Sequence, residues 1–252
     1  MLIKTRKFFI LLLILALCSP SAYVHAQGTA SINLFQPDSN GYPTITALLD
    51  VFDEQGNFVT GLTSGDVSLL ENGQAVGLSA FEQLDQPMTF VVAVNSGPAL
   101  AVRDGFGFSR YDKMAVVLQN WAAARPSTNP DHLALVWNGG IIASQLSPAD
   151  WLARFQNFDP ALKNSSPGLT SLAFAIDVAQ QGALAPGAKK AILFISPHLE
   201  ARDLNALPDL ANRARQANIR VFVWLGDSTA YFEHQGAQGL FDLARVTGGR
   251  SL

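Results

Sequence analysis

Side chains suited to catalysis or metal binding are few in this sequence, and the histidines are the most versatile of them. Beyond residue 26 the chain has His132, His198 and His234. None is spaced from another by the three or four residues that put two imidazoles on one helix face, so no zinc site is predicted. Glu200 and Asp203 follow His198, but such an acid–base set lacks a nucleophile. We interpret this segment as a solvated loop in which Asp203 caps the next helix.

Two short motifs could suggest nucleophilic or phosphate chemistry, and neither is complete. Ser96-Gly97 follows an apolar run, but the chain has no Gly-x-Ser-x-Gly there, and Pro98 is a poor start for the required turn. Gly105-Phe106-Gly107 is too short and too far from a strand end for a phosphate loop. No enzymatic activity and no cofactor are therefore predicted. Nearby aromatic residues could instead form an exposed contact loop or pack over the next helix: Phe106, Phe108 and Tyr111.

The elements that would position these residues alternate between strand and helix from residue 88 onward. Apolar runs typical of buried strands cover residues 88–94, 132–137, 190–195 and 219–225, with a short strand at 141–143. Helical periodicity covers residues 111–124, 149–158, 170–181, 204–217 and 240–246. Gly248-Gly249 stops the last helix. This alternation predicts a three-layer, doubly wound α/β fold with a mostly parallel sheet.

The segment ahead of this domain has a different texture. Residues 42–52 and 67–70 favour strands, and Asn72-Gly73 suits a tight hairpin turn that requires positive φ. No helical period occurs there. We therefore predict a small antiparallel β-sandwich over residues 28–85, followed by the α/β domain over residues 87–252.

The first 26 residues are typical of a secretory signal peptide. A basic start (Lys4, Arg6, Lys7) precedes an apolar run over residues 8–17, and Val24-His25-Ala26 predicts cleavage after Ala26. An uncleaved anchor is the alternative, although the run is shorter than the ~20 residues of a spanning helix. A lipidation box ending at Cys18 is a less favoured alternative, because Leu17 is bulky for the position before a lipidated cysteine. We expect an exported protein: secreted, periplasmic or on the cell surface.

Composition narrows the possible partners. Cys18 is the one cysteine, so the chain beyond residue 26 has no disulfide and no thiolate ligand. The whole chain has 17 basic and 20 acidic residues, and loss of the three basic residues in the signal peptide leaves a net charge of −6. An acidic surface without a basic patch disfavours nucleic acid and anionic lipid. A membrane contact would therefore need an uncleaved signal or an anchor outside this chain.

Four stretches, in this order, resemble von Willebrand factor A domains: residues 87–100, 165–172, 190–198, and 221–226 with 240–250. They are similar to the family's first strand and metal loop, its threonine loop, its third strand and loop, and its closing strand and helix. Residues 49–73 are similar to the Ig-like β-sandwich modules that precede such domains in bacterial surface proteins. The family usually continues into a final strand and helix, so the resemblance also implies that this chain lacks the last helix and is part of a longer protein.

The metal site of that family is degenerate in this sequence. Family members hold Mg²⁺ with Asp-x-Ser-x-Ser, a threonine and a later aspartate. Here Asn95 stands for the first aspartate, Gly97 and Ala99 for the serines, and Pro197 for the later aspartate, while Thr170 is kept. A small, strongly hydrated dication needs oxygen ligands and carboxylate charge. The resemblance therefore implies that no metal is bound.

Ligands of such sheets bind at the carboxyl ends of the strands. We predict a non-enzymatic protein-binding, adhesion-type module of the cell envelope that uses this edge without a metal. An architectural domain of a longer membrane-anchored protein is the alternative, and a metal-assisted hydrolase is a distant one. An exposed aromatic loop would favour binding. The candidate edge residues are Ser96, Phe106, Phe108, Tyr111, Thr170, His198, Glu200 and Asp203. The sequence does not identify the partner.

Overall fold

The computed structural model describes residues 31–54, 57–84, 87–181 and 188–252. The chain divides into two compact units, Met1–Gln83 and Leu84–Leu252. The predicted signal peptide, residues 1–26, lies outside the described residues. Within the described ranges, no helix is long and apolar enough to cross a membrane.

The first unit contains two separate antiparallel strand pairs. β1 (Ser31–Asp38) pairs with β2 (Thr46–Phe52), and β3 (Leu69–Glu71) pairs with β4 (Gln74–Val76). Asn72 and Gly73 connect the second pair with φ values of 52° and 81°. The predicted hairpin turn is therefore confirmed, because both central residues take the positive φ of that turn type. The Ig-like sandwich stays a prediction.

The second unit is built on a five-stranded sheet. Its strands are β5 (Met88–Val94), β6 (His132–Trp137), β7 (Gly140–Leu146), β8 (Lys189–Ser196) and β9 (Ile219–Leu225). Their order is β7-β6-β5-β8-β9, and only β7 is antiparallel to its neighbour. β5 and β8 are adjacent and parallel. The predicted α/β fold class is confirmed.

Helices cover both faces of this sheet. They are α1 (Arg110–Ala123), α2 (Pro148–Gln156), α3 (Thr170–Gln181), α4 (Ala201–Leu204), α5 (Leu207–Gln216) and α6 (Gln235–Val246). Alternate residues of β5 point to opposite sides, as expected for a strand. Val91 and Ala93 belong to one buried cluster together with residues of α3, α5 and α6, and Val92 and Val94 belong to another together with residues of α1 and α2. Each face of the sheet is therefore covered by its own hydrophobic core.

One predicted helix is wrong in detail. Residues 204–217 were expected to form a single helix, but the structure has α4 and α5 with a break between them. Pro208 lies in the first turn of α5. A proline lacks an N–H and its ring clashes with the preceding turn, so one helix cannot run through this point.

The outer edge of β9 is protected by the residues that follow α6. Val221 donates its N–H to the Oγ1 of Thr247 over 3.1 Å. Val223 donates to the carbonyl of Arg250 over 2.9 Å, and Leu225 donates to the carbonyl of Leu252 over 3.2 Å. Three successive outward N–H groups of this strand therefore have partners, which blunts an edge that could otherwise pair with another chain.

Candidate partner-binding edge

The crevice between the carboxyl ends of β5 and β8 is filled by a neutral hydrogen-bond network. Asn95 follows β5 and is fully buried. Its Nδ2 donates to the Oγ of Ser196 over 2.8 Å, and its Oδ1 accepts from the N–H of Gly168 over 2.9 Å. The Ser196 hydroxyl in turn donates to the carbonyl of Pro197 over 2.6 Å. The amide of Asn95 is thus used in both directions to join three loops.

A second asparagine holds the neighbouring backbone. The Oδ1 of Asn138 accepts from the N–H of Ser96 over 2.8 Å, and its Nδ2 donates to the carbonyl of Ser96 over 2.9 Å. The same Nδ2 donates to the carbonyl of Ser166 over 2.9 Å. Asn138 therefore ties the loop after β6 to the loops after β5 and before α3. The sequence indicated the loop after β6 because it follows a strand end, but Asn138 was not among the predicted contact residues.

Position 97, where von Willebrand factor A domains carry a serine, is sterically closed in this chain. A Cβ added to Gly97 would lie 2.3 Å from the Cγ and 2.9 Å from the Cδ of Pro167. The Pro167 ring therefore occupies the space that a side chain at position 97 would need. Ala99 lies half-buried in a short 3₁₀ turn, Pro98–Ala101, and its carbonyl accepts from Arg110 over 2.9 Å.

The residues at this edge do not fit a divalent ion. The Asn95 oxygen is neutral and already accepts the Gly168 N–H, Pro197 is buried and has no side-chain oxygen, and neither residue has a carboxylate. Thr170 is exposed as the first residue of α3. Among the described residues, no group of three or more His, Cys, Asp or Glu is arranged to hold a metal. Neutral, mutually bonded groups do not offset the dehydration of Mg²⁺.

The loop between β5 and α1 is organised around one carboxylate. Asp104 Oδ1 accepts the N–H of Phe106 over 2.9 Å and the N–H of Phe108 over 3.1 Å. Asp104 Oδ2 lies 2.6 Å from the Nζ of Lys113 on α1. The Lys113 ammonium and these two N–H groups hold the pKa of Asp104 below its usual value. The backbone of Gly107 completes the turn with a φ of 85°.

This ordered loop carries large apolar side chains into solvent. Phe106 is 89% exposed and Phe108 is 56% exposed, and Val102 at the start of the loop is 50% exposed. Tyr111 is buried in the core with α2, and burial raises the pKa of its phenol. Ser96 is fully buried as well. The prediction that Tyr111 and Ser96 are edge contacts is therefore wrong, because both side chains lie in the interior.

His198, a predicted edge residue, has a buried partner that sequence reasoning missed. The Oδ2 of Asp227, which follows β9 after one glycine, lies 2.7 Å from the His198 Nδ1 and accepts the His198 backbone N–H over 3.1 Å. The His198 ring stacks on Tyr231 at 3.9 Å between centroids and 7° between planes. His234 approaches edge-on at 5.1 Å. A carboxylate just beyond the adjacent strand end was the available clue.

The ionised form of Asp227 is favoured despite its burial. Its side chain is 3% exposed, and this burial alone would raise its pKa. Hydrogen bonds from the His198 ring and from the N–H groups of Ser228 and His198 outweigh the burial and lower the pKa. The Nη1 of Arg110 lies 3.5 Å from the other carboxylate oxygen. Asp227 thus connects the ends of β8 and β9 to the start of α1.

The remaining two predicted edge residues differ from each other. Glu200 is exposed just before α4. Asp203 lies inside α4, half-buried, with an oxygen 3.8 Å from the Nε of Arg202. Asp203 was expected to cap a helix. That expectation is wrong, because the residue before α5 is Ala206 and no side chain caps that helix.

Comparison with known proteins gave similarity at the level of coordinates only. No protein-family model matches the sequence, and no curated protein is similar to it. An aerotolerance-related membrane protein from Bacteroides fragilis NCTC 9343 is 13% identical, with a TM-score of 0.46 over 66% of this chain and 90% of that chain.

Two further solved structures are similar to the same degree. BatB from Bacteroides thetaiotaomicron is 15% identical, with a TM-score of 0.45 over 66% of this chain and 89% of that chain. The N-terminal domain of TFIIH p34 is 14% identical, with a TM-score of 0.47 over 67% of this chain and 91% of that chain. Similarities this weak carry no information about ligand, partner or activity.

Proposed function

We propose that this chain is an exported, non-enzymatic binding module whose α/β domain contacts a protein partner through the loop of residues 102–109, without a metal ion. The single observation that carries this proposal is the exposure of Phe106 and Phe108 on an ordered loop. The signal-peptide pattern of residues 1–26 supports export.

Exposure of an aromatic side chain to water is energetically unfavourable, and its burial at an interface stabilises the complex. Phenylalanine is enriched in the buried centre of protein–protein interfaces, where a few large side chains carry most of the binding energy. Burial of a phenylalanine side chain contributes about 1.5–3 kcal/mol. Phe106, Phe108 and Val102 are close in sequence and share one loop, so a single partner surface could cover them.

The backbone of this loop is also ordered before any partner binds. Asp104 fixes the backbone at Phe106 and Phe108, and the Lys113 ammonium fixes Asp104. The Ser109 side chain then caps α1 by accepting the Asp112 N–H over 3.0 Å. A loop whose backbone is already ordered loses less conformational entropy on association than a flexible one. These bonds support a contact role over a passive connection.

The test is site-specific photo-crosslinking in the native host. A photoreactive phenylalanine analogue replaces Phe106, and the matched control places it at Val117, which is 53% exposed on α1. We expect one discrete cross-linked partner from position 106 and none from position 117. Equal labelling from both positions, or none from either, contradicts the proposal and favours the architectural role. N-terminal sequencing of the same protein should begin at Gln27 if export includes cleavage after Ala26.

A further inference from the structure

We propose that Tyr231 and Phe232 belong to the same partner-binding surface as the loop of residues 102–109, and that this surface takes an uncharged, apolar face of a protein partner. This inference rests on the proposed function and deepens it, because it names a second contact segment and the chemistry of the partner. The loop alone is too small, since a specific protein–protein interface covers about 800 Å² and about 20–30 residues on each side. Neighbouring residues must therefore supply most of the contact area.

Tyr231 and Phe232 are large side chains that remain partly in solvent. Tyr231 is 41% exposed and Phe232 is 39% exposed. They lie between β9 and α6, at the same carboxyl edge of the sheet as the loop after β5. Aromatic side chains are enriched at the centres of protein interfaces. This segment can therefore add aromatic contact area to that of the loop.

A continuous line of contacts joins this segment to the loop. The Nη1 of Arg110, the residue that follows the loop, lies 3.5 Å from the Oδ1 of Asp227. The other oxygen of Asp227 lies 2.7 Å from the His198 Nδ1. The His198 ring in turn stacks on Tyr231, with 3.9 Å between the ring centroids. The two exposed aromatic groups therefore lie on either side of one short polar strip.

The loops after β5 and β9 also pack directly on each other. A Cβ added to Gly226 would overlap the Cδ2 of Leu100 and would lie 3.0 Å from the Cε of Met114 on α1. The glycine therefore brings the backbone after β9 into contact with residues that precede and follow the aromatic loop. One partner surface can cover both segments without bridging a gap.

The backbone of the second segment is ordered, as it is in the loop. Tyr231 donates its N–H to the carbonyl of Ser228 over 2.9 Å, and Phe232 donates to the carbonyl of Thr229 over 3.2 Å. The Nε2 of Gln238 on α6 donates to the carbonyl of Phe232 over 2.8 Å. Both segments therefore lose little backbone entropy when a partner covers them.

The charges around the surface indicate the chemistry of the partner. Three ion pairs border it, with N···O distances of 2.6, 3.3 and 3.5 Å: Lys113–Asp104, Arg103–Asp112 and Arg110–Asp227. A charge that the partner placed at the centre would lose its hydration and meet groups that already have counter-charges, which costs free energy. Glu233, next to Phe232, is exposed and can stay in water at the border of the contact. An uncharged, apolar partner surface therefore fits best.

The test extends the photo-crosslinking in the native host to position 232. The photoreactive phenylalanine analogue replaces Phe232, and the matched control places it at Val246. Val246 is 40% exposed, nearly the same as Phe232, but it lies at the far end of α6, a helix of 12 residues that is about 18 Å long. We expect position 232 to label the same protein as position 106, and position 246 to label nothing.

The outcomes separate this inference from the proposed function. Labelling from position 106 with none from position 232, or different proteins labelled from the two positions, overturns the shared surface and leaves the proposed function standing. Equal labelling from position 246 overturns the shared surface as well. The absence of a labelled protein at position 106 overturns both.

Binding of the purified protein captured at position 106 tests the chemistry. Phe232→Ala should raise its dissociation constant about fivefold or more, the loss that marks an important interface side chain, whereas Val246→Ala should not. Binding should weaken less than about threefold between about 50 and about 500 mM NaCl, because no ion pair forms at the centre. A tenfold loss at high salt, or binding of the chain to phosphatidylcholine vesicles that Phe232→Ala abolishes, overturns an apolar protein partner.

Discussion

The Nδ2 of Asn95 donates to the Oγ of Ser196 over 2.8 Å, and this hydrogen bond joins the carboxyl ends of β5 and β8. Both residues are fully buried. Between adjacent parallel strands of this order, such a crevice is where ligands of doubly wound folds usually bind. In this protein the crevice is closed by side chains that satisfy one another, so any binding at this edge shifts to the loops around it.

The first prediction concerns metal binding. Calorimetric titration of the mature chain with Mg²⁺ or Mn²⁺ should show no saturable heat, because any residual affinity is at the millimolar level or weaker, about −4 kcal/mol. Asn95→Asp alone should not create a site, since Pro197 still offers no side-chain oxygen and Pro167 still fills the space beside Gly97. A micromolar isotherm that Thr170→Ala abolishes would show that this edge holds metal.

The second prediction tests the packing of Pro167 on Gly97. Gly97→Ala should lower the free energy of unfolding by about 1–3 kcal/mol, because the new Cβ would overlap the proline ring. In a Pro167→Ala background the same substitution should cost much less, since the Cγ and Cδ atoms are gone. Urea denaturation of the four proteins of this double-mutant cycle gives the coupling. Additive losses would contradict the described contact.

The third prediction concerns acid stability. The pKa of Asp227 is lowered in the folded state, so its contribution is complete above the unfolded value near 4 and is lost as the pH falls through the folded value. Asp227→Asn should destabilise the protein by about 1 kcal/mol at about pH 5, and by less as the pH falls toward about 3.

A matched control for this effect is Asp242→Asn. Asp242 pairs with Arg245 at 2.9 Å, but its side chain is 65% exposed. Exposed ion pairs contribute little to stability, so this variant should behave like the wild type at each pH. Denaturant titrations at several pH values measure both variants. A difference between Asp227→Asn and the wild type that grows as the pH falls would contradict the sign of the shift.

The fourth prediction concerns the edge of β9. A Cβ at Gly249 would lie 2.0 Å from the carbonyl oxygen of Val221, so Gly249→Ala must move the backbone. We expect a loss of about 1–3 kcal/mol and faster hydrogen exchange at the N–H groups of Val223 and Leu225, which bond to the following residues. Gly105→Ala is the control, because its added Cβ meets no atom within 4 Å.

Sequence patterns predicted the architecture because the period of apolar residues follows directly from strand and helix geometry. The limits of β5, β6 and β9 agree with the continuous apolar runs. The edge was harder to predict. Asn138 and Asp227 act through partners that are distant in sequence, and the strand ends indicate which loops lie at this edge but not which side chains meet there. Ser96 and Tyr111 were predicted to be edge contacts because residue type alone does not show whether a side chain is buried in the fold.

The partner identified by cross-linking at position 106 allows a direct test of whether recognition through this loop is independent of metal. Its dissociation constant for the mature chain should be the same in Mg²⁺ and in EDTA. Phe106→Ala should weaken binding by about tenfold or more, the expected loss for a large apolar interface side chain, while Val117→Ala should not. If EDTA abolishes binding, or if Phe106→Ala binds as tightly as the wild type, metal-independent recognition through this loop is contradicted.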